Sequence, residues 1–158
     1  MLGATYANNL HVIQTDSNVV IRHELMRALR IVPLDGSPHV GSNLRSLNGD
    51  PRGHWEGNTL VVDTTNFTDR TPFRGPPATT RADIQSSDRM HVVERFTRVD
   101  ANTIRYRFTV EDPATWVRPW SAELIMRRWD GPIFEYACHE GNYGLAFILS
   151  AARAEDRR

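Results

Sequence analysis

The chain contains no lysine. Its 19 basic residues are all arginine, balanced by 19 aspartates and glutamates, so its formal net charge is zero. Without lysine there is no Schiff-base nucleophile and no P-loop lysine to grip phosphates, and no nucleotide cofactor is expected. Zero net charge removes the positive field that nucleic acids and anionic membranes normally require, so neither is expected as a partner. Cysteine is almost absent too. Cys138 stands alone, which excludes an intrachain disulfide and a multi-cysteine zinc site. Long apolar runs are also missing: nothing approaches the ~20 residues of a membrane span. The opening "MLGATYANNL" lacks the basic and apolar regions of a signal peptide, so the expectation is a soluble body.

What remains is ordinary globular material. The chain has 158 residues, 40% of them hydrophobic and 24% charged, which suits one domain that buries most of its apolar surface. Short runs of alternating polarity dominate. In "NTIRYRFTVED", Ile104, Tyr106, Phe108 and Val110 alternate with Arg105, Arg107, Thr109 and Glu111, which predicts a strand with one buried face. "LHVIQT" and "NVVIRHELMRALRIVPL" read as extended, the second with Val19, Ile21, His23 and Leu25 on one side, although "HELMRALR" also has helical propensity. Glu56-Gly57-Asn58 supplies turn chemistry for a hairpin that continues into "TLVVDTT". Residues 68–89, rich in proline, threonine and charge, read as a long surface loop of the kind that often binds something. "PIFEYACHE" reads as a further strand, and "NYGLAFILSAARAEDRR" as a helix with Leu145, Ile148, Leu149 and Ala152 in a stripe. Seven or eight antiparallel strands without helical crossovers predict a mainly β fold: a single antiparallel β-barrel or strongly curved sheet, lipocalin-like, with a short C-terminal helix.

Two blocks carry a resemblance. "GDPRGHWEGNTLVVDTTNF" and "YACHEGNYGLAFILSAARAE", with "VERFTRVDANTI" and "RPWSAELIMRR" between them, resemble a family of largely uncharacterised bacterial proteins, often secreted. The match runs through Asp50, Arg52, Gly53, Trp55, Glu56, Gly57, Asp63, Asn66 and Phe67 in the first block. In the second it runs through Tyr136, Cys138, His139, Glu140, Gly141 and Asn142. His54 and Asn58 depart from the pattern, which more usually has a large polar residue and Asp at those places. The resemblance implies periplasmic or secreted relatives and carries no reaction with it.

Candidate chemistry follows from strand parity. His23 falls among apolar neighbours, where an imidazole needs either a hydrogen-bond partner or a metal; a core histidine bonded to a carbonyl is the plainer account. Glu94 shares a face with Val92 and Phe96, so if Phe96 points inward a carboxylate is buried, and it must be protonated, metal-bound or paired with one of the many arginines. His139 and Glu140 adjoin Cys138 in sequence. Cys138 itself is better read as a small buried hydrophobe than as a nucleophile, because His139 points the other way along a strand. His39 and Asp35 sit in a loop, where an Asx-type turn is the simpler role for Asp35.

These readings combine into a barrel enzyme acting on a partly apolar small molecule by isomerase, lyase or hydrolase chemistry. Glu94, His139, Glu140 and Arg95 are the expected catalytic set. Tyr106, Trp120, Tyr136 and Phe96 are the expected substrate contacts. His23, His91 and His139 are the expected ligands of a divalent metal, should one bind. The alternative is a non-catalytic lipocalin-like binding protein, and a third reading makes the 68–89 loop a protein-interaction surface. A homo-oligomer is compatible with all three.

Overall fold

The computed structural model describes residues 8–25, 28–70, 72–73, 84–135, 137 and 140–157. Among the described residues, ten strands and one helix follow one another: β1 (Leu10–Gln14), β2 (Asn18–His23), β3 (Leu29–Pro33), β4 (Asp50–Glu56), β5 (Thr59–Thr65), β6 (Pro72–Phe73), β7 (Ile84–Gln85), β8 (His91–Arg98), β9 (Thr103–Glu111), β10 (Trp120–Arg127) and α1 (Gly144–Glu155). All pairings between strands are antiparallel. They form a three-stranded sheet in the order β1-β2-β3, a five-stranded sheet in the order β10-β9-β8-β5-β4, and the small β6-β7 hairpin.

Apart from the inserted β6-β7 hairpin, the chain is a meander. Consecutive strands are neighbours, and the break between the sheets falls between β3 and β4, which no ladder joins. The ladder therefore does not close into a barrel among the described residues. β4 nevertheless lies tight against β3 at Gly53. A Cβ there would stand 2.7 Å from Cγ1 of Val32 and 2.8 Å from Cδ2 of Leu34, closer than real side chains approach, so the junction needs a residue without one.

Alternation sorts the side chains. Val19 and Ile21 of β2, Val32 of β3, Leu60 and Val62 of β5, Val92 and Phe96 of β8, and Tyr106, Phe108 and Val110 of β9 form one buried cluster, joined by Phe67 just beyond β5. The outer positions of the five-stranded sheet carry Arg95, Arg105, Arg107 and Thr109. Burying these apolar side chains against one another is what holds the sheets face to face, at about 1.5–3 kcal/mol for each large one. The hairpin between β4 and β5 turns on Gly57, whose φ of 59° suits the first central position of a two-residue turn that favours glycine.

Four expectations gain detail or change. The 18–34 stretch is a hairpin rather than one strand: His23 N–H donates to the Ala28 carbonyl and the chain reverses there, so Leu25 leaves the face it was assigned to. Residues 132–135 are irregular instead of a strand, while Tyr136, Cys138 and His139 lie outside the described residues. The helix forms over Gly144–Glu155, but none of its residues is buried, and Leu145, Ile148 and Leu149 of its apolar stripe stay exposed. The expected loop of 68–89 holds the short β6-β7 hairpin, and residues 71, 74–80 and 81–83 within it lie outside the described residues.

Gly53→Ala should lower the thermal midpoint by about 3–10 °C through overpacking against Val32 and Leu34. An unchanged midpoint in a thermal unfolding scan would show that β3 and β4 do not rely on this approach.

Candidate functional site

Between the two sheets lies an apolar cleft of about 560 Å³. Val12 and Gln14 of β1 and Val19 and Ile21 of β2 form one wall. Trp55, Asn58, Leu60, Phe96, Arg98 and Ile104 form the other, near the β4-β5 turn. This size falls within the range of about 300–1,000 Å³ usual for small-molecule sites.

A buried polar group continues the same inner face. On β8, Glu94 lies two residues before Phe96, about 7 Å deeper along the strand. Arg30 of β3, the cross-strand neighbour of Ile21, reaches across the gap and grips Glu94 with both terminal nitrogens. Tyr106 of β9 donates its hydroxyl to Oε1 of Glu94 at 2.7 Å while its ring stacks on Phe96, centroids 4.7 Å apart. Arg30 and Glu94 are almost wholly buried, so this bidentate pair joins the three-stranded sheet to the five-stranded one through the core.

Ionisation follows from this arrangement. Burial alone would push the Glu94 carboxyl up, but the Arg30 charge and its hydrogen bonds bring it down to about 2. Burial raises the Tyr106 hydroxyl, and the Glu94 charge raises it further, so Tyr106 stays protonated as a donor. Burial and then the Arg30 charge lower the His23 imidazole from 6.5 to about 4, with Glu94 opposing. His23 is therefore neutral at pH 7, and among the described residues its buried Nε2 has no hydrogen-bond partner; the same holds for Nε of Arg30.

A second polar chain crosses the opposite, outer face of the five-stranded sheet. His39 in the β3-β4 loop sets Nδ1 3.1 Å from Asp50 and Nε2 2.9 Å from Asp63, and His91 of β8 sets Nε2 2.9 Å from the other oxygen of Asp63. Asp50 accepts from the Val40 N–H, Arg52 donates to the Pro38 carbonyl, and Asn66 donates to the Val40 carbonyl. Asp50, Arg52, Asp63 and Asn66, all in the first motif block, thus clamp residues 38–40 onto the sheet. His91 is oriented by Asp63 and sets Nδ1 3.9 Å from Glu111.

The expected residues disperse accordingly. Glu94 and Phe96 share the inner face, with Phe96 on the cleft wall and Tyr106 behind it. Arg95 lies on the other face, paired with Glu56. Trp120 packs edge-on to Phe108 and Trp116, away from the cleft lining. Glu140 is exposed in the turn before α1, and Tyr136 and His139 lie outside the described residues. His23 faces inward and His91 outward, so these two do not converge on one metal, and among the described residues no group of three or more His, Cys, Asp or Glu side chains is placed to hold a metal ion. Asp35 forms the Asx-type turn, accepting from the Ser37 N–H at 2.9 Å.

Sequence reasoning missed Arg30 and Arg98. Each was legible by parity, Arg30 from its spacing to buried Val32 and Arg98 from its spacing to Phe96, but reading 18–34 as one strand hid the first. Comparison with protein-family models, with curated proteins and with solved structures finds no match. No described helix is long and apolar enough to cross a membrane.

Acid should act on this core in two windows. His23, with its folded value depressed, contributes stability at pH above 6.5 that is lost as pH falls towards 4; Glu94, depressed from 4.5, loses its contribution between 4.5 and about 2. Urea unfolding from pH 7 to 3 should show the wild type weakening faster than His23→Gln between pH 6.5 and 4. Parallel curves over that window would contradict a neutral buried His23.

Proposed function

We propose that this chain is a non-catalytic, lipocalin-like binding module that takes a partly apolar small molecule into the cleft between its sheets. The observation that carries this reading is the cleft itself, whose ten lining residues include Val12, Val19, Ile21, Leu60, Phe96 and Ile104. A cavity walled by aliphatic and aromatic side chains, with a few polar atoms at its edge, is how proteins hold such ligands. In this reading the two sheets act together as an incompletely closed barrel, and the ligand supplies the contacts that the open seam lacks.

The Arg30–Glu94–Tyr106 group favours binding over catalysis. A general base works best with a pKa near the operating pH. Glu94, held near 2 and gripped on both oxygens, is instead a fixed strut that shapes the deep end of the cleft. Acid–base chemistry is the second reading, and the observation favouring it is His91 with its Asp63 partner on the outer face rather than any residue of the cleft. Nucleic acid and membrane have no part in either reading.

The neutral fluorescent probe N-phenyl-1-naphthylamine tests the proposal. It should bind saturably at one per chain, and Val12→Trp, which fills the cleft from a half-exposed wall position, should weaken it by about tenfold, about 1.4 kcal/mol. Probe binding that ignores Val12→Trp would sink the reading. Small molecules co-purifying with the protein should come off chemically unchanged after incubation, whereas their conversion would move the conclusion to an enzyme.

A further inference from the structure

We infer that the cleft receives an amphiphilic anion: an apolar body that carries one carboxylate, with the Arg98 guanidinium taking the carboxylate at the mouth. This rests on the reading of the cleft as a binding site and adds the ligand's charge and its orientation.

β8 sets the order of groups along the cleft. Glu94, Phe96 and Arg98 follow one another at period two, so a buried anion, an aromatic wall and a cation lie in sequence from the deep end of the cleft to its edge. Arg98 is the charged residue among the ten that line the cleft. Its backbone is pinned to the β4-β5 turn from both sides: its N–H donates to the Asn58 carbonyl at 3.2 Å, and its carbonyl accepts from the Asn58 side chain at 2.8 Å. Its Nε donates to the Asp100 carbonyl, which orients the guanidinium.

The carboxylates near it are engaged elsewhere. Asp100 turns its side chain to the Asn102 N–H at 2.7 Å and to Thr103. Glu56 is taken by Arg95 and His54 on the outer face. Among the described residues no acidic side chain lies within ion-pair distance of Arg98, in contrast to Arg30, Arg52, Arg95 and Arg105, each of which has one. A cation at the edge of an apolar cavity, anchored but without a counter-charge, matches an anionic group attached to an apolar body.

The deep end fixes the orientation. Glu94 is negative and already neutralised by Arg30, so an anionic head pushed inward would meet a carboxylate, whereas an apolar tail would meet Phe96, Ile21 and Leu60. Gln14 and Asn58 line the same cavity and bring polar side chains to the outward-lying head. The ligand therefore lies tail inward and head outward.

Displacement of bound N-phenyl-1-naphthylamine by decanoate and by decan-1-ol, equal in chain length and differing in charge, tests this directly. Decanoate should bind about fivefold more tightly than the alcohol at low salt, because the pair at the mouth stays partly solvated. The difference should shrink at about 0.5 M salt through screening, and in Arg98→Gln the two ligands should bind alike. Equal affinities in the wild type, or a preference for decanoate that survives in Arg98→Gln, would overturn the inference while leaving the cleft a binding site. Failure of the neutral probe to bind, or its indifference to Val12→Trp, would instead remove the reading beneath it.

Discussion

Arg30 and Glu94 form the contact on which the rest of the molecule depends. One side chain comes from the three-stranded sheet and the other from the five-stranded sheet, they are 64 residues apart in sequence, and no ladder joins the sheets at β3 and β4. Two guanidinium-carboxylate hydrogen bonds fix the distance and angle between the sheets more narrowly than apolar contacts can. Tyr106 adds a third donor to the same carboxylate and carries the constraint into the aromatic stack of Phe96 and Phe108. Removing either member leaves a buried charge without its partner, which costs about 3–5 kcal/mol.

Fixing the sheets in this way decides where space is left. On the inner faces Val32, Val62 and Phe108 are fully packed, while towards the β4-β5 turn lies the cleft, with Val12 and Trp55 among its lining. The outer face is fastened differently. There Asp50, Arg52, Asp63 and Asn66 hold residues 38–40 through His39, so a single carboxylate, Asp63, serves two histidines and joins the β3-β4 loop to β8. The polar residues of the first motif block thus spend their hydrogen bonds on a loop clamp, while Gly53 and Trp55 of the same block serve the sheet junction and the cleft wall.

Much of this was legible in the residues. The alternation in β9 and the hairpin at Gly57 gave the mainly β class, and parity along β8 placed Glu94 and Phe96 on one face and His91 and Arg95 on the other. The expected sets nevertheless joined Glu94 with Arg95 and His23 with His91 across that divide, and in the structure Arg95 and His91 instead meet Glu56 and Asp63 on the outer face. Other features were not legible. The reversal at residues 24–28 has no glycine or proline to announce it, so β2 and β3 merged into one strand and Arg30 lost its place. The pairing of Arg30 with Glu94 joins distant segments, and with 19 arginines available the sequence offered no means of choosing among them. The helix was legible as such and forms over Gly144–Glu155, although the exposure of Leu145, Ile148 and Leu149 was not.

The measurement that bears most directly on this account is a double-mutant cycle in urea unfolding at neutral pH, built from Arg30→Met and Glu94→Leu. If the two side chains bridge the sheets as described, each single change should cost about 3 kcal/mol or more, while the double variant, with no stranded charge, should cost far less than their sum. Additive costs would show that Arg30 and Glu94 do not meet in the core, and the arrangement of the two sheets around the cleft would fall with them.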